Sequence, residues 1–343
     1  MRAFRLFEAG HAELVEVETP RPGPDAVLLR VVAAGVCRSD VTLIRDAGAG
    51  AIDLPVTLGH EIAGQVVDVG PGVPEAKVGE RVAVYELRGC GRCRACLAGE
   101  DNLCRETAPG AFGVTQDGGM AEYVVIPARN LVDLGGLDPV QAAPMTDAGL
   151  TALHAIERGR ALLTPDAVAL VVGIGGLGHL ALQFLAATSE TAVIAVDADR
   201  PRLALSRELG ARHAVLSGDG ALERILDANG GRKVDVVFDF VGAQETLDLA
   251  ARAVRRGGGI VITGGGGGSL CLTARMGTAG IPEREVSVVH TFGGTRRDLE
   301  RALALLAEGR VESRTERLPL EDAALAIDRL RTGGVVGRAV LLP

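Results

Sequence analysis

Residues 167–187, AVALVVGIGGLGHLALQFLAA, restrict the possible folds more than any other stretch of the chain. A short apolar run, a Gly-x-Gly-x-x-Gly turn and a helical period follow one another without a gap. A strand must therefore hand the chain to a helix through a turn with no room for side chains. The run is β-branched and continuous rather than alternating, which marks a strand buried on both faces of a parallel sheet. The pattern recurs in AVIAVDADRPRLALSRELGA (192–211), VDVVFDFVGAQETLDLAARAV (234–254) and GGGIVITGG (257–265). Strands alternating with helical segments predict a doubly wound α/β sheet with helices on both faces.

The chain before residue 150 reads differently. PRPGPDAVLLRVVAAGVC, IAGQVVDVGPGV and AEYVVIPARNLVDL are short strand patterns separated by Pro and Gly turns, the last strand closed by Pro127. They predict a β-rich, barrel-like domain. After residue 292 come two helical stretches, DLERALALLAEGR and LEDAALAIDRL, and a final strand, GRAVLLP. At 343 residues the chain exceeds one ordinary core, so two domains are expected.

Composition narrows the partners. A formal net charge of -8 argues against a nucleic acid or an anionic membrane. No apolar run approaches the roughly eighteen residues of a membrane span. The N-terminus, MRAFRLFEAGHAELVEVE, alternates like strands around a Gly turn and lacks the apolar core of a signal peptide, so a cytoplasmic location is expected.

The glycine turn comprises Gly173, Gly175, Gly176, Leu177 and Gly178 around Ile174. The first glycine permits the tight turn, the second lets a pyrophosphate approach the backbone, and the third allows close helix packing. Asp197 ends the next strand. An acid there can accept hydrogen bonds from ribose hydroxyls and would repel a 2′-phosphate, which favours NAD over NADP.

Four of the six cysteines, Cys90, Cys93, Cys96 and Cys104, lie within CGRCRACLAGEDNLC. A reducing compartment disfavours disulfides, and nothing around them resembles a low-pKa redox motif. Four thiolates suit tetrahedral zinc and leave no position for a substrate, so the reading is a structural ion, with an iron–sulfur cluster the lesser alternative. A second set is scattered: Cys37 in GVCRSD, His60 beside Glu61 in TLGHEIAG, and Asp147 in APMTDAGL. Cys, His and carboxylate would leave zinc one open position. Spacing alone does not join them. A lone Cys is commonly a small buried hydrophobe, a lone His a hydrogen-bonded loop residue, and Asp147 could cap a helix.

The stretches AAGVCRSD, LGHEIAGQVVDVG, CGRCRACLAGEDNLC, GGMAEYVV, VVGIGGLG, VIAVD and GGVVGRAVLLP resemble those of the zinc-dependent alcohol dehydrogenases of the medium-chain dehydrogenase/reductase superfamily. The resemblance runs over essentially the whole chain. TDAGLT and FDFVGAQ point toward bacterial NAD-dependent secondary alcohol dehydrogenases.

The resemblance implies a β-rich GroES-like catalytic domain and a Rossmann domain, divided as 1–147, 148–291 and 292–343, the last returning to the catalytic domain. It implies NAD and two zinc ions per chain, one catalytic on Cys37, His60 and Asp147 and one structural on the four clustered cysteines. Many members carry a third cysteine where this chain has Asp147. Glu61 would lie behind the catalytic ion, Asp40 would orient His60, and Ser39 would bond the substrate oxygen and pass on its proton. Some members have a histidine three residues after that serine, where this chain has Thr42. Arg38 and Arg338 would grip the pyrophosphate, and Arg202 would lie near the adenosine ribose. For all three, a solvated surface position is the ordinary alternative.

Tyr85, Glu86 and Phe292 fall in segments that line the substrate pocket of the family. Glu86 is unusual in an apolar pocket. Its ordinary reading faces solvent; the sharper one recognises a cationic or polyol group.

The implied reaction is reversible oxidation of an alcohol, a secondary one by resemblance, to a ketone or aldehyde. The alternatives are a polyol or amino alcohol, an activated C=C or C=N bond, and a non-enzymatic NAD-binding protein. The family forms homodimers and homotetramers.

Overall fold

The computed structural model describes residues 1–47, 52–106, 110–271 and 285–343. The chain divides into two units, Met1–Leu150 with Thr295–Pro343, and Thr151–Gly294.

The first unit is built on the strand Ala26–Val36, whose apolar sequence AVLLRVVAAGV is buried except at Arg30 and partly at Val32. Such a strand needs neighbours on both sides. Glu61–Val69 pairs with it antiparallel on one side; Arg338–Leu342 and Tyr123–Pro127 pair with it on the other, at different heights. The sheet continues through Arg81–Val84 to Leu131–Asp133 at one end and to Thr315–Pro319 at the other. A separate sheet joins the N-terminal hairpin, Arg2–Glu8 and His11–Glu16, to Val56–Thr57. Leu6, Leu29, Leu58, Ile62, Met120 and Ile126 are fully buried between these layers. Each such side chain contributes about 1.5–3 kcal/mol relative to exposure.

One element escapes the sequence pattern. The chain after Pro127 does not stop pairing: it makes a 3₁₀ turn, Ala128–Asn130, and starts another strand, Leu131–Asp133, against Arg81–Val84. Proline lacks the N–H that would continue the first ladder. Asn130 turns inward and donates from Nδ2 to the Tyr85 and Leu87 carbonyls, at 2.8 and 3.0 Å.

The second unit holds a six-stranded parallel sheet in the order His213–Leu216, Ala192–Asp197, Val168–Val172, Val234–Asp239, Val254–Ile262, Ser287–His290. Chain order reverses at Val168–Val172, the strand that leads into the glycine turn. In such sheets the crevice at the reversal, beyond the strand ends, is where a ligand seats.

Candidate active site

In the second unit, Gly173 takes φ 87°, a left-handed conformation at the end of its strand. The helix Gly178–Thr188 starts at the third glycine, where a Cβ would overlap the Gly173 carbonyl oxygen. At Gly175, by contrast, the nearest atom to an added Cβ is Arg202 Nη1, at 4.0 Å. The turn is closed where strand meets helix and open where a phosphate would approach, with a guanidinium beside it. Asp197 is buried, and its carboxylate accepts from the Ile174 N–H at 2.6 Å and the Asp199 N–H at 2.9 Å. It therefore braces the turn, and its remaining lone pairs stay available to a ribose. Phe292 lies in this unit and is 53% exposed.

In the first unit, the pairing of Gly35 with Glu61 across two antiparallel strands brings Cys37 and His60 to the same end of the sheet. Thr146 adds the third member. Its Oγ1 accepts from the Ile62 N–H at 3.1 Å and donates to the Ala143 carbonyl at 2.8 Å, fixing the backbone one residue before Asp147. The donor atoms of Cys37, His60 and Asp147 all lie within 4.8 Å of one another.

The two ring nitrogens of His60 face different carboxylates: Nε2 is 3.3 Å from Asp147, and Nδ1 is 3.4 Å from Asp40. Asp40 is itself held, accepting from the Cys37 N–H at 2.8 Å. Burial opposes charge on His60, yet Asp40, Cys37 and Asp147 outweigh it and raise the pKa well above the ordinary value. For Asp147 too, burial opposes charge, and His60, Arg338 and Cys37 hold its carboxyl well below the usual range. Anionic donors packed this closely around one imidazole nitrogen fit a divalent cation, while the other nitrogen lies beside Asp40 without a hydrogen bond to it.

Glu61 and Arg338 adjoin these donors. Both are buried, and Arg338 donates to Glu61 Oε1 while its Nη2 lies 3.8 Å from Asp147. Arg338 is thus not a solvated arginine. Burial raises the Glu61 pKa to about 8, although Arg338 pulls it down. Gly35 is the residue that sequence reading missed here: a Cβ on it would overlap Glu61 Oε2. Ser39 is exposed, with Oγ 3.6 Å from Cys37 Sγ. Thr42 is exposed and donates to the Arg38 carbonyl at 3.4 Å; Arg38 is exposed and its Nη1 reaches the Leu330 carbonyl at 3.4 Å.

The four-cysteine loop forms a second cluster. Sγ separations are 3.5 Å for Cys93–Cys96, 3.9 Å for Cys90–Cys96 and 3.9 Å for Cys93–Cys104. Zinc–sulfur bonds of about 2.3 Å in a tetrahedron give an edge of about 3.8 Å. All four thiols are free of disulfides. Backbone N–H groups of Arg92 and Cys93 lower the Cys90 pKa, whereas burial and the adjoining thiols push Cys96 up to about 12. Thiols that resist joint ionisation are the donors a cation relieves.

Comparison with known proteins gives the family. Residues 23–136 match the alcohol dehydrogenase GroES-like domain, and residues 176–308 match the zinc-binding dehydrogenase family. The NAD-dependent alcohol dehydrogenase of Saccharolobus solfataricus is 35% identical over 358 aligned positions, with 100% of both chains covered. The chain belongs to the zinc-binding alcohol dehydrogenases of the medium-chain dehydrogenase/reductase superfamily. Among solved relatives, the alcohol dehydrogenase of Aeropyrum pernix superposes with a TM-score of 0.92 at 33% identity, covering 100% of each chain. A thermostable alcohol dehydrogenase of Pyrobaculum aerophilum, solved with cobalt and zinc bound, superposes with a TM-score of 0.86 at 32% identity, covering 100% of this chain and 99% of that one.

Within this alcohol dehydrogenase, Glu86 departs from the sequence reading. It does not face solvent: only 6% of the residue is exposed. Burial raises its pKa well above the ordinary range; Asp147 and Glu61 add to the rise, and His60 and Arg338 oppose it. Its neighbour Tyr85 is also buried. Burial holds its pKa far above the ordinary value, and the charges of Asp101, Glu86, Asp298 and Cys96 add to the rise.

Proposed function

We propose that this dehydrogenase transfers a hydride reversibly between a secondary alcohol and NAD, giving a ketone. Cys37, His60 and Asp147 would hold a catalytic zinc and leave one tetrahedral position open; Cys90, Cys93, Cys96 and Cys104 would hold a structural zinc with no open position. When bound, the open-sited zinc supplies Lewis acidity toward an alcohol oxygen, and NAD supplies the hydride acceptor. The observation that carries this reading is the convergence of three donor atoms, one from each of Cys37, His60 and Asp147, within 4.8 Å.

The chain's own residues do the rest. Asp40, beside His60 Nδ1, would orient the ring so that Nε2 faces the pocket. Ser39 Oγ receives the substrate's hydroxyl proton and passes it to water or a ribose hydroxyl. Thr42 cannot serve as the histidine of other members does, because a threonine hydroxyl does not titrate in this range. Glu61 would lie close to a bound ion, with Arg338 as its counter-charge. The glycine turn would receive the pyrophosphate, and Arg202 and Asp197 the adenosine end, with NAD preferred. Arg338 reaches a phosphate only by releasing Glu61.

We place the protein in the cytoplasm, as its free thiols favour, and no helix among the described residues is long and apolar enough to cross a membrane. A homodimer or homotetramer is supported by the sheet edge Ser287–His290, where Ser287, Val288 and His290 are exposed and could pair with another copy.

A panel of primary and secondary alcohols, diols and amino alcohols, each with NAD and NADP, tests the reading through absorbance of the reduced cofactor. Secondary alcohols with NAD are expected to lead. A chain that oxidises none of them contradicts the reading.

A further inference from the structure

We propose that Thr146 is a positioning residue of the catalytic metal site: its buried hydroxyl sets the separation of His60 and Asp147, and thereby how tightly the site holds zinc. The inference rests on the zinc reading above and concerns that same site.

The first observation is how Asp147 is presented. Cys37 and His60 adjoin two paired strands, whereas Asp147 comes from outside that sheet. It lies between the 3₁₀ turn Ala143–Thr146 and the helix Ala148–Arg158, with φ -129° and ψ -70°. Regular helical geometry breaks at the residue that carries the donor. Its place therefore depends on what holds the residues beside it.

The second observation is that both neighbours of Asp147 are tied to the two residues that follow His60. Thr146 Oγ1 accepts from the Ile62 N–H at 3.1 Å, and the Ala148 N–H donates to Glu61 Oε1 at 3.3 Å. Arg338 donates to that same Glu61 oxygen, so the second tie is shared. The Thr146 tie is directed. The residue is fully buried, and its hydroxyl gives its proton to the Ala143 carbonyl at 2.8 Å, which leaves the oxygen lone pairs for Ile62.

The third observation is that the chain before His60 is already fixed. The Leu58 and Gly59 carbonyls accept from the Met120 and Gly119 N–H groups, at 2.9 and 2.8 Å. Gly59 takes φ 96°, and a Cβ on Gly113 or Gly118 would overlap its carbonyl oxygen. His60 has little room to follow a displaced Asp147. Slack at Thr146 would therefore open the 3.3 Å gap between His60 Nε2 and the Asp147 carboxylate. Thr146 touches no reacting atom; it acts through the two donors it aligns.

The test uses the full-length, zinc-loaded chain and reads zinc retained per chain as free zinc is lowered with a chelator. Two release steps are expected, and Cys37→Ser identifies the catalytic one by abolishing it. Thr146→Val keeps the branched shape and removes the hydroxyl. It should move the catalytic step to about tenfold to a hundredfold higher free zinc, the loss that follows when the support of a metal ligand is removed. The four-cysteine step should stay in place. Thr146→Ser, which retains the hydroxyl, should return the catalytic step close to wild type. With cobalt exchanged into the catalytic site, the visible absorption bands should change in Thr146→Val and recover in Thr146→Ser.

An unmoved catalytic step in Thr146→Val overturns the proposal. So does an equal shift of both steps, or a shift that Thr146→Ser fails to reverse, since these mean lost stability or side-chain shape rather than a lost tie. If Thr146→Val does not fold, Thr146→Ala, which also lacks the hydroxyl, serves in its place. A wild-type chain with no release step that Cys37→Ser abolishes overturns the zinc reading instead, and the two failures are thereby told apart.

Discussion

At the scale of single residues, the informative positions are those whose neighbours come from far along the chain. Cys37, His60 and Asp147 are each ordinary in their own segments. Only the family resemblance linked them before the fold was known, because local spacing carries no record of which strands pair. The pairing of Ala26–Val36 with Glu61–Val69 supplies that record. Glu86 was misjudged for a related reason: a glutamate in a polar segment reads as solvated, and the backbone on either side of it is held by Asn130, 44 positions away. Gly35 left no signal at all in a chain with 47 glycines. Its role appears only when Glu61 packs across from it. Gly35→Ala is expected to destabilise the fold by about 1–3 kcal/mol, the range for a methyl forced into a packed site. Urea unfolding measures this, and a loss of activity beyond the loss of folded protein would show displacement of Glu61.

Individual elements were more legible. The glycine turn with its strand and helix could be read directly, because three constraints coincide there: a buried apolar run, glycines that leave no side chains in the turn, and a helical period. The helices Arg296–Ala307 and Ala323–Arg331 and the final strand followed from pattern as well. Leu131–Asp133 did not, since three residues carry too little periodicity and Pro127 signals an end. That short strand and the turn before it position Asn130. Asn130→Ala would leave the buried Tyr85 and Leu87 carbonyls without their donor and is expected to cost about 1–3 kcal/mol, again by urea unfolding. The four-cysteine loop has only a four-residue helix, Arg94–Leu97, and a 3₁₀ turn, Asp101–Leu103, of its own. Its order is expected to depend on metal. Cys96→Ser should lower the thermal midpoint and disturb assembly while changing kcat for the remaining folded protein far less. Loss of catalysis with unchanged stability would mean that the two clusters have exchanged roles.

For the molecule as a whole, the class of fold was legible because each half has its own period: short strands and turns first, then alternating strands and helices. The return of the C-terminal residues to the first unit was implied by the family resemblance rather than by any pattern, and its consequence was not legible. It delivers Arg338 onto Glu61, 277 positions earlier, and so makes the proposed metal site depend on both ends of the chain. The central claim is that two zinc ions have separate tasks, with turnover residing on Cys37, His60 and Asp147. Its most direct test is the turnover of Cys37→Ser with a secondary alcohol and NAD, on protein shown to be folded and to bind NAD. The expected result is loss of turnover by several orders of magnitude, with zinc per chain falling from about two toward one. Undiminished turnover in that variant would contradict the account.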